Sequence, residues 1–87
     1  GVHGISCKYG LTTPMHYAAE TTRLMVERTR GEVIVVADHR KIGLVSDFVT
    51  VPANRIHTLV TDWLPDRDYI REFENLGIRV IQTNPRS

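Results

Sequence analysis

The residues best equipped for chemistry in this sequence are Asp38-His39-Arg40-Lys41, which follow the apolar run Val33 to Ala37 and are closed off by Gly43. A carboxylate and an ammonium in one turn suit a small anionic ligand. Asp38 can accept hydrogen bonds from ligand hydroxyls, and Lys41, a compact point charge, can neutralise a phosphate or carboxylate. The same residues also make an ordinary turn in which Asp38 is a cap and the cations are solvated. Spacing alone leaves both readings open.

A second group is Gly10-Leu11-Thr12-Thr13-Pro14, where hydroxyls and a glycine precede a helical pattern. The free N–H groups at a helix start attract anions, although Thr12 and Thr13 also read as simple helix caps. Asp62-Trp63 is placed either to close a pocket or to pack at an interface. The histidines at 3, 16, 39 and 57 include no i, i+4 pair, and Cys7 has no second cysteine, so no metal site is expected. A Cys7–histidine nucleophile is formally possible, but a lone cysteine at a strand end usually behaves as a small buried hydrophobe. No Gly-x-Gly-x-x-Gly, phosphate-cradling Walker loop or Gly-x-Ser-x-Gly elbow is present, which argues against a nucleotide-dependent enzyme or a serine hydrolase. No cofactor is expected.

The elements that must position these residues follow from periodicity. Thr13 to Arg30 predicts a helix whose inner face is Met15, Ala18, Ala19, Thr22, Met25, Val26 and Thr29. Thr13 is its N-cap, Pro14 its first residue and Gly31 its left-handed terminus. Glu32 to Ala37 predicts a strand, and its unbroken β-branched run predicts cover on both faces, as in a parallel sheet. Asp38 to Gly43 is a loop or short helical turn. Ser46 to Val51 is a weaker strand stopped by Pro52, Ala53 to Arg55 a turn, and His57 to Thr61 another strand. A second helix opens around Leu64-Pro65-Asp66, buries Tyr69, Ile70, Phe73 and Leu76, and ends at Gly77. Ile78 to Gln82 is the last strand. Helices alternating with apolar strands predict an α/β fold: a mostly parallel sheet flanked by helices. Ligands of such sheets bind beyond the carboxyl ends of the strands, which singles out Ser6 to Thr13, Asp38 to Gly43, and Asp62.

Bulk properties restrict the class. With 87 residues the chain fits one small domain. A net charge of +1 leaves no electrostatic footprint for direct nucleic-acid binding. One cysteine suits a reducing compartment, and no apolar run nears the roughly 20 residues of a membrane span. A cytoplasmic protein without membrane contact is expected. The first residues, Gly1-Val2-His3-Gly4-Ile5-Ser6, lack an initiator methionine and run straight into apolar sequence, which suggests a piece of a longer polypeptide.

Four segments in order, Gly1-Val2-His3-Gly4-Ile5-Ser6, Gly10-Leu11-Thr12-Thr13-Pro14, Val36-Ala37-Asp38-His39-Arg40-Lys41-Ile42-Gly43 and His57-Thr58-Leu59-Val60-Thr61-Asp62, resemble the C-terminal sensor domain of DeoR-family bacterial transcriptional regulators. The resemblance extends from residue 1 to about 82. It implies a partial domain of ribose-5-phosphate isomerase and CoA-transferase-like fold. An N-terminal winged helix-turn-helix and the first part of the sensor would lie outside this chain. The implied function is effector sensing and oligomerisation in a regulator of sugar metabolism, usually a repressor, that binds a phosphorylated sugar and reaches DNA only through the missing domain. The site residues carried over are His3, Gly4, Thr12, Thr13, Asp38 and Lys41. His3 stands where the family often has aspartate, which weakens any acid–base role there, and Ile42 where an aromatic is common. The alternative is a fragment of a sugar-phosphate isomerase-like enzyme.

Overall fold

A computed structural model describes residues 3–63 and 66–83 and builds them into two three-stranded sheets and two α-helices. Strands β1 (Gly4–Ser6) and β2 (Gly10–Thr13) form an antiparallel hairpin, and β4 (Phe48–Val51) pairs antiparallel with the far side of β2. Strands β3 (Ile34–Val36), β5 (Thr58–Thr61) and β6 (Arg79–Gln82) form a separate, wholly parallel sheet. The fold is α/β, but the expected single, mostly parallel sheet is replaced by one antiparallel and one parallel layer.

The reason lies at residues 10–13, expected to be a loop and a helix cap. Gly10 takes a φ of +81°, which glycine adopts without penalty, and the Tyr9 N–H donates to Ser6 Oγ at 3.1 Å. That tight turn returns the chain along β1, and the β-branched Thr12 and Thr13 join the ladder opposite Val49 and Phe48. Helix α1 therefore spans only His16–Glu27, with Met15 as N-cap and no side-chain cap. It also ends before Gly31. The Thr29 hydroxyl donates to the Met25 carbonyl at 2.8 Å and the Thr29 N–H to Val26 at 3.1 Å, which tightens the last turn. Of its expected inner face, Ala19 is buried and Val26 packs on the core, whereas Met15 and Met25 are exposed.

Strand β3 is covered on one face only. Val35 and the following Ala37 are buried, while Ile34 and Val36 are 57% and 69% exposed. The second helix, α2 (Arg67–Asn75), starts at Asp66, whose carboxylate accepts the Asp68 N–H; Leu64 and Pro65 lie outside the described residues. At its end the Gly77 N–H donates to Glu74 and the Ile78 N–H to Phe73, a Schellman arrangement made possible by the φ of +85° at Gly77. That geometry packs Ile78 on Phe73, both at most 1% exposed, and leaves Leu76 half in water rather than on the buried stripe. Ile5 and Val51 from the antiparallel sheet, Val35 and Leu59 from the parallel one, and Phe73 and Ile78 form one core.

Candidate functional site

The carboxyl ends of β3 and β5 carry the charged turn. His39–Lys41 is a single 3-10 turn whose N-cap is Asp38: Oδ1 accepts the Arg40 N–H at 2.9 Å. The Arg40 guanidinium also reaches back to both oxygens of the same carboxylate, at 3.2 and 3.4 Å. That hydrogen bond holds the Asp38 carboxyl below the usual carboxylate range. Asp38 is thus a cap, as the plainer reading had it, and is also paired with Arg40, one of the cations that reading left solvated. His39 is engaged as well. Its ring Nδ1 lies 2.9 and 3.0 Å from the two Asp62 oxygens, and its backbone N–H donates to Asp62 Oδ1 at 2.6 Å. Those contacts, the ring's first, hold Asp62 below its ordinary range. The Lys41 ammonium makes no hydrogen bond or ion pair with any described residue. A shallow cleft of about 240 Å³ opens here, lined by Val36, Ala37, Asp38, Val60, Thr61, Asp62 and Thr83.

Behind the turn the chain is fastened to the antiparallel sheet. Gly43 donates its N–H to the Ile5 carbonyl at 2.7 Å, and Ile42 bridges to Ile5. Gly43 has a φ of +91°, and a Cβ there would stand 2.6 Å from the Tyr69 hydroxyl. The Ser46 N–H then donates to Thr12 Oγ1 at 2.9 Å. Thr12 therefore secures a loop rather than a helix start.

His3, Thr12 and Thr13 meet at a second, larger cleft of about 510 Å³, whose other walls are Leu11, Met15, Ala18, Thr22, Val36 and Thr50. Thr13 Oγ1 lies 3.2 Å from His3 Nδ1 and accepts the Met15 N–H at 3.3 Å. The expected fan of helix N–H groups over Thr12 and Thr13 is absent because α1 starts at His16. Gly4 is not at a ligand surface. It is buried in β1, and a Cβ on it would run into the Leu44 carbonyl. The six expected residues thus divide: Asp38 lines the smaller cleft, His3, Thr12 and Thr13 the larger, and Gly4 and Lys41 line neither, Lys41 standing three residues on from Asp38 in the same turn. Val36 is the wall the two clefts share.

Sequence reasoning missed the His39–Asp62 contact. Both residues follow predicted strands, so adjacency of β3 and β5 would have brought them together, and that adjacency was not resolved from periodicity. Trp63 stands 47% exposed with the Arg67 guanidinium 4.2 Å over its ring, and it lines neither cleft. Among the described residues no group of His, Cys, Asp and Glu is placed to hold a metal, and no helix is long and apolar enough to cross a membrane.

Comparison with known proteins fits this arrangement to a family. Residues 1–63 match the DeoR C terminal sensor domain. The chain belongs to that family. Relatives include the HTH-type transcriptional regulator GlpR of Haloferax volcanii, 33% identical over 81 residues, which cover 93% of this chain and 31% of that protein. The HTH-type transcriptional repressor GlcR of Bacillus subtilis is 31% identical over 83 residues, 95% of this chain and 31% of that protein. The HTH-type transcriptional regulator GolR of Listeria innocua is 30% identical over 77 residues, 88% and 30% respectively. The DeoR chain described here spans about a third of the length of the curated relatives it matches. It is a DeoR-family sensor domain of the kind found in transcriptional regulators and repressors.

Proposed function

We propose that this DeoR sensor binds a phosphorylated sugar or related metabolite at the turn 38–41, as the effector of a cytoplasmic regulator of sugar metabolism. The observation that carries the reading is the division of charge in that turn. Arg40 is taken by Asp38 and His39 by Asp62, which leaves Lys41, in the turn that follows a strand of the parallel sheet, with an ammonium that makes no hydrogen bond or ion pair among the described residues and acts on Asp38 only through its field. A free point charge there is suited to an anionic group. Asp38 retains lone pairs for a sugar hydroxyl, and the threonine-lined cleft across Val36 offers further hydroxyl partners.

The site binds without turnover. An isomerase's carboxylate base works best with a pKa tuned up toward the operating pH, and Asp38 and Asp62 are instead held low by their partners, which favours the binding reading. His3, where a further carboxylate would be expected, is taken up with Thr13.

The winged helix-turn-helix and the first part of the sensor belong to the same polypeptide in this reading, and DNA is reached only through them. The chain's share of its relatives' length supports that. So does the outer face of the parallel sheet, where Ile34, Val36 and Ile81 stay exposed although parallel sheets are normally covered on both sides. The remainder of the sensor, and a second subunit of a homo-oligomer, are what cover it.

Lys41→Ala in the full polypeptide tests the assignment. Operator binding, followed by fluorescence anisotropy, should stay within about twofold, while the effector concentration needed for release rises about tenfold or more, the scale of one lost charge-assisted hydrogen bond. An unchanged effector response refutes it. A thermal-shift screen against sugar phosphates identifies the effector, because a ligand of the folded state raises apparent stability by mass action.

A further inference from the structure

We propose that His39 and Asp62 act together as a positioning clamp for the turn, so that affinity for an anionic effector depends on a pair outside the ligand's own contacts. The inference rests on the reading of residues 38–41 as the effector site. Asp62 stands immediately after β5 and His39 opens the turn after β3. One carboxylate oxygen receives both the backbone N–H and the ring Nδ1 of His39, and the second oxygen also receives Nδ1. A carboxylate accepts and cannot donate, so Nδ1 carries the proton and the ring is locked in one tautomer and one plane. Fixing both backbone and ring of His39 fixes the start of a 3-10 turn only three residues long. Its last residue, Lys41, donates its own N–H to the Asp38 carbonyl at 3.0 Å. Lys41 has no side-chain tether among the described residues, so the placement of its ammonium comes from the backbone of that turn.

The other end of the turn is secured independently, by Gly43 N–H on the Ile5 carbonyl. Without the clamp the turn would be held to the parallel sheet by backbone alone, through the Ala37 N–H to the Val60 carbonyl at 3.0 Å. The pair is half-exposed, with side chains 44% and 36% accessible, so it adds little to global stability. Its energetic effect is concentrated on local placement.

The chemistry offers a discriminating set of variants. The asparagine amide nitrogen lies at the position of Nδ1, so His39→Asn keeps a donor toward Asp62, whereas His39→Ala removes it. Isothermal titration of the full polypeptide with glucose 6-phosphate, glycerol 3-phosphate and inorganic phosphate provides the readout, with Lys41→Ala as the site control. The expected result for a probe that binds the wild type is an affinity about tenfold weaker in His39→Ala and in Asp62→Ala, on the scale of a coupled contact pair. The double variant should be no weaker than either single one, and His39→Asn should lie within about twofold of wild type, with melting temperatures little changed throughout. Additive losses, or a His39→Asn as weak as His39→Ala, overturn the clamp. Binding that Lys41→Ala abolishes but His39→Ala leaves intact overturns the clamp alone. Failure of the wild type to bind any probe, or indifference to Lys41→Ala, overturns the effector-site reading and the clamp with it.

Discussion

Gly4 and Cys7 lie on or just past the same short strand, and each makes a prediction about its own surroundings. The Leu44 carbonyl sits where a Cβ of residue 4 would go, so Gly4→Ala should destabilise the fold by about 1–3 kcal/mol, the usual range for overpacking. Urea unfolding would show this as a lower midpoint at unchanged slope. Burial pushes the Cys7 thiol up to about 11, with the Glu72 carboxylate adding to the effect. Iodoacetamide at pH 8 should therefore label Cys7 much more slowly in the native protein than in urea, since the thiolate is the nucleophile, and Glu72→Gln should speed the native reaction. Asp62 behaves in the opposite sense. His39 lowers its folded pKa, so the stability it contributes is present above the unfolded value of about 3.9 and lost as pH falls through the folded pKa. Because the pair is half-exposed, thermal melts of wild type and Asp62→Asn should differ only slightly at pH 7, and that small difference should vanish as pH falls below about 4.

The elements differ in how much of them could be read in advance. Helix α2 was legible almost completely, since its cap Asp66, its buried Phe73 and its terminator Gly77 are all local signals. Strands β3, β5 and β6 were legible as β-branched runs. The hairpin was not, because Thr12 and Thr13 before Pro14 satisfy the sequence rules for a helix start as well as those for a strand, and only pairing with β4, distant in sequence, decides between them. The arrangement of the proposed site was half legible for the same reason. Asp38 and Lys41 share one turn and could be found locally, whereas the Asp62 contact depends on which strands are neighbours. The Schellman turn that ends α2 makes its own prediction. Phe73→Ala should cost about 3–5 kcal/mol, because the ring is fully buried against Ile78 and the rest of the core. Chemical denaturation would measure it, and a value under about 1 kcal/mol would contradict the packing described.

At the scale of the molecule, the chain crosses repeatedly between its two sheets. It lays down β1 and β2 in the antiparallel layer, β3 in the parallel one, returns for β4, and leaves again for β5 and β6. The turn 38–43 is joined to both layers, through Asp62 on one side and Ile5 on the other. Neither sheet can be finished before the other has been begun, and both share one core. Such interleaving should make unfolding all-or-none, since losing either sheet strips the other of a connection and of half its packing. Native-state hydrogen exchange should then give ladder amides of β2 and β5 the same opening free energy, equal to the global value. The threading of the chain makes these residues a single cooperative unit, which can shift as a body but cannot shed one sheet and keep the other.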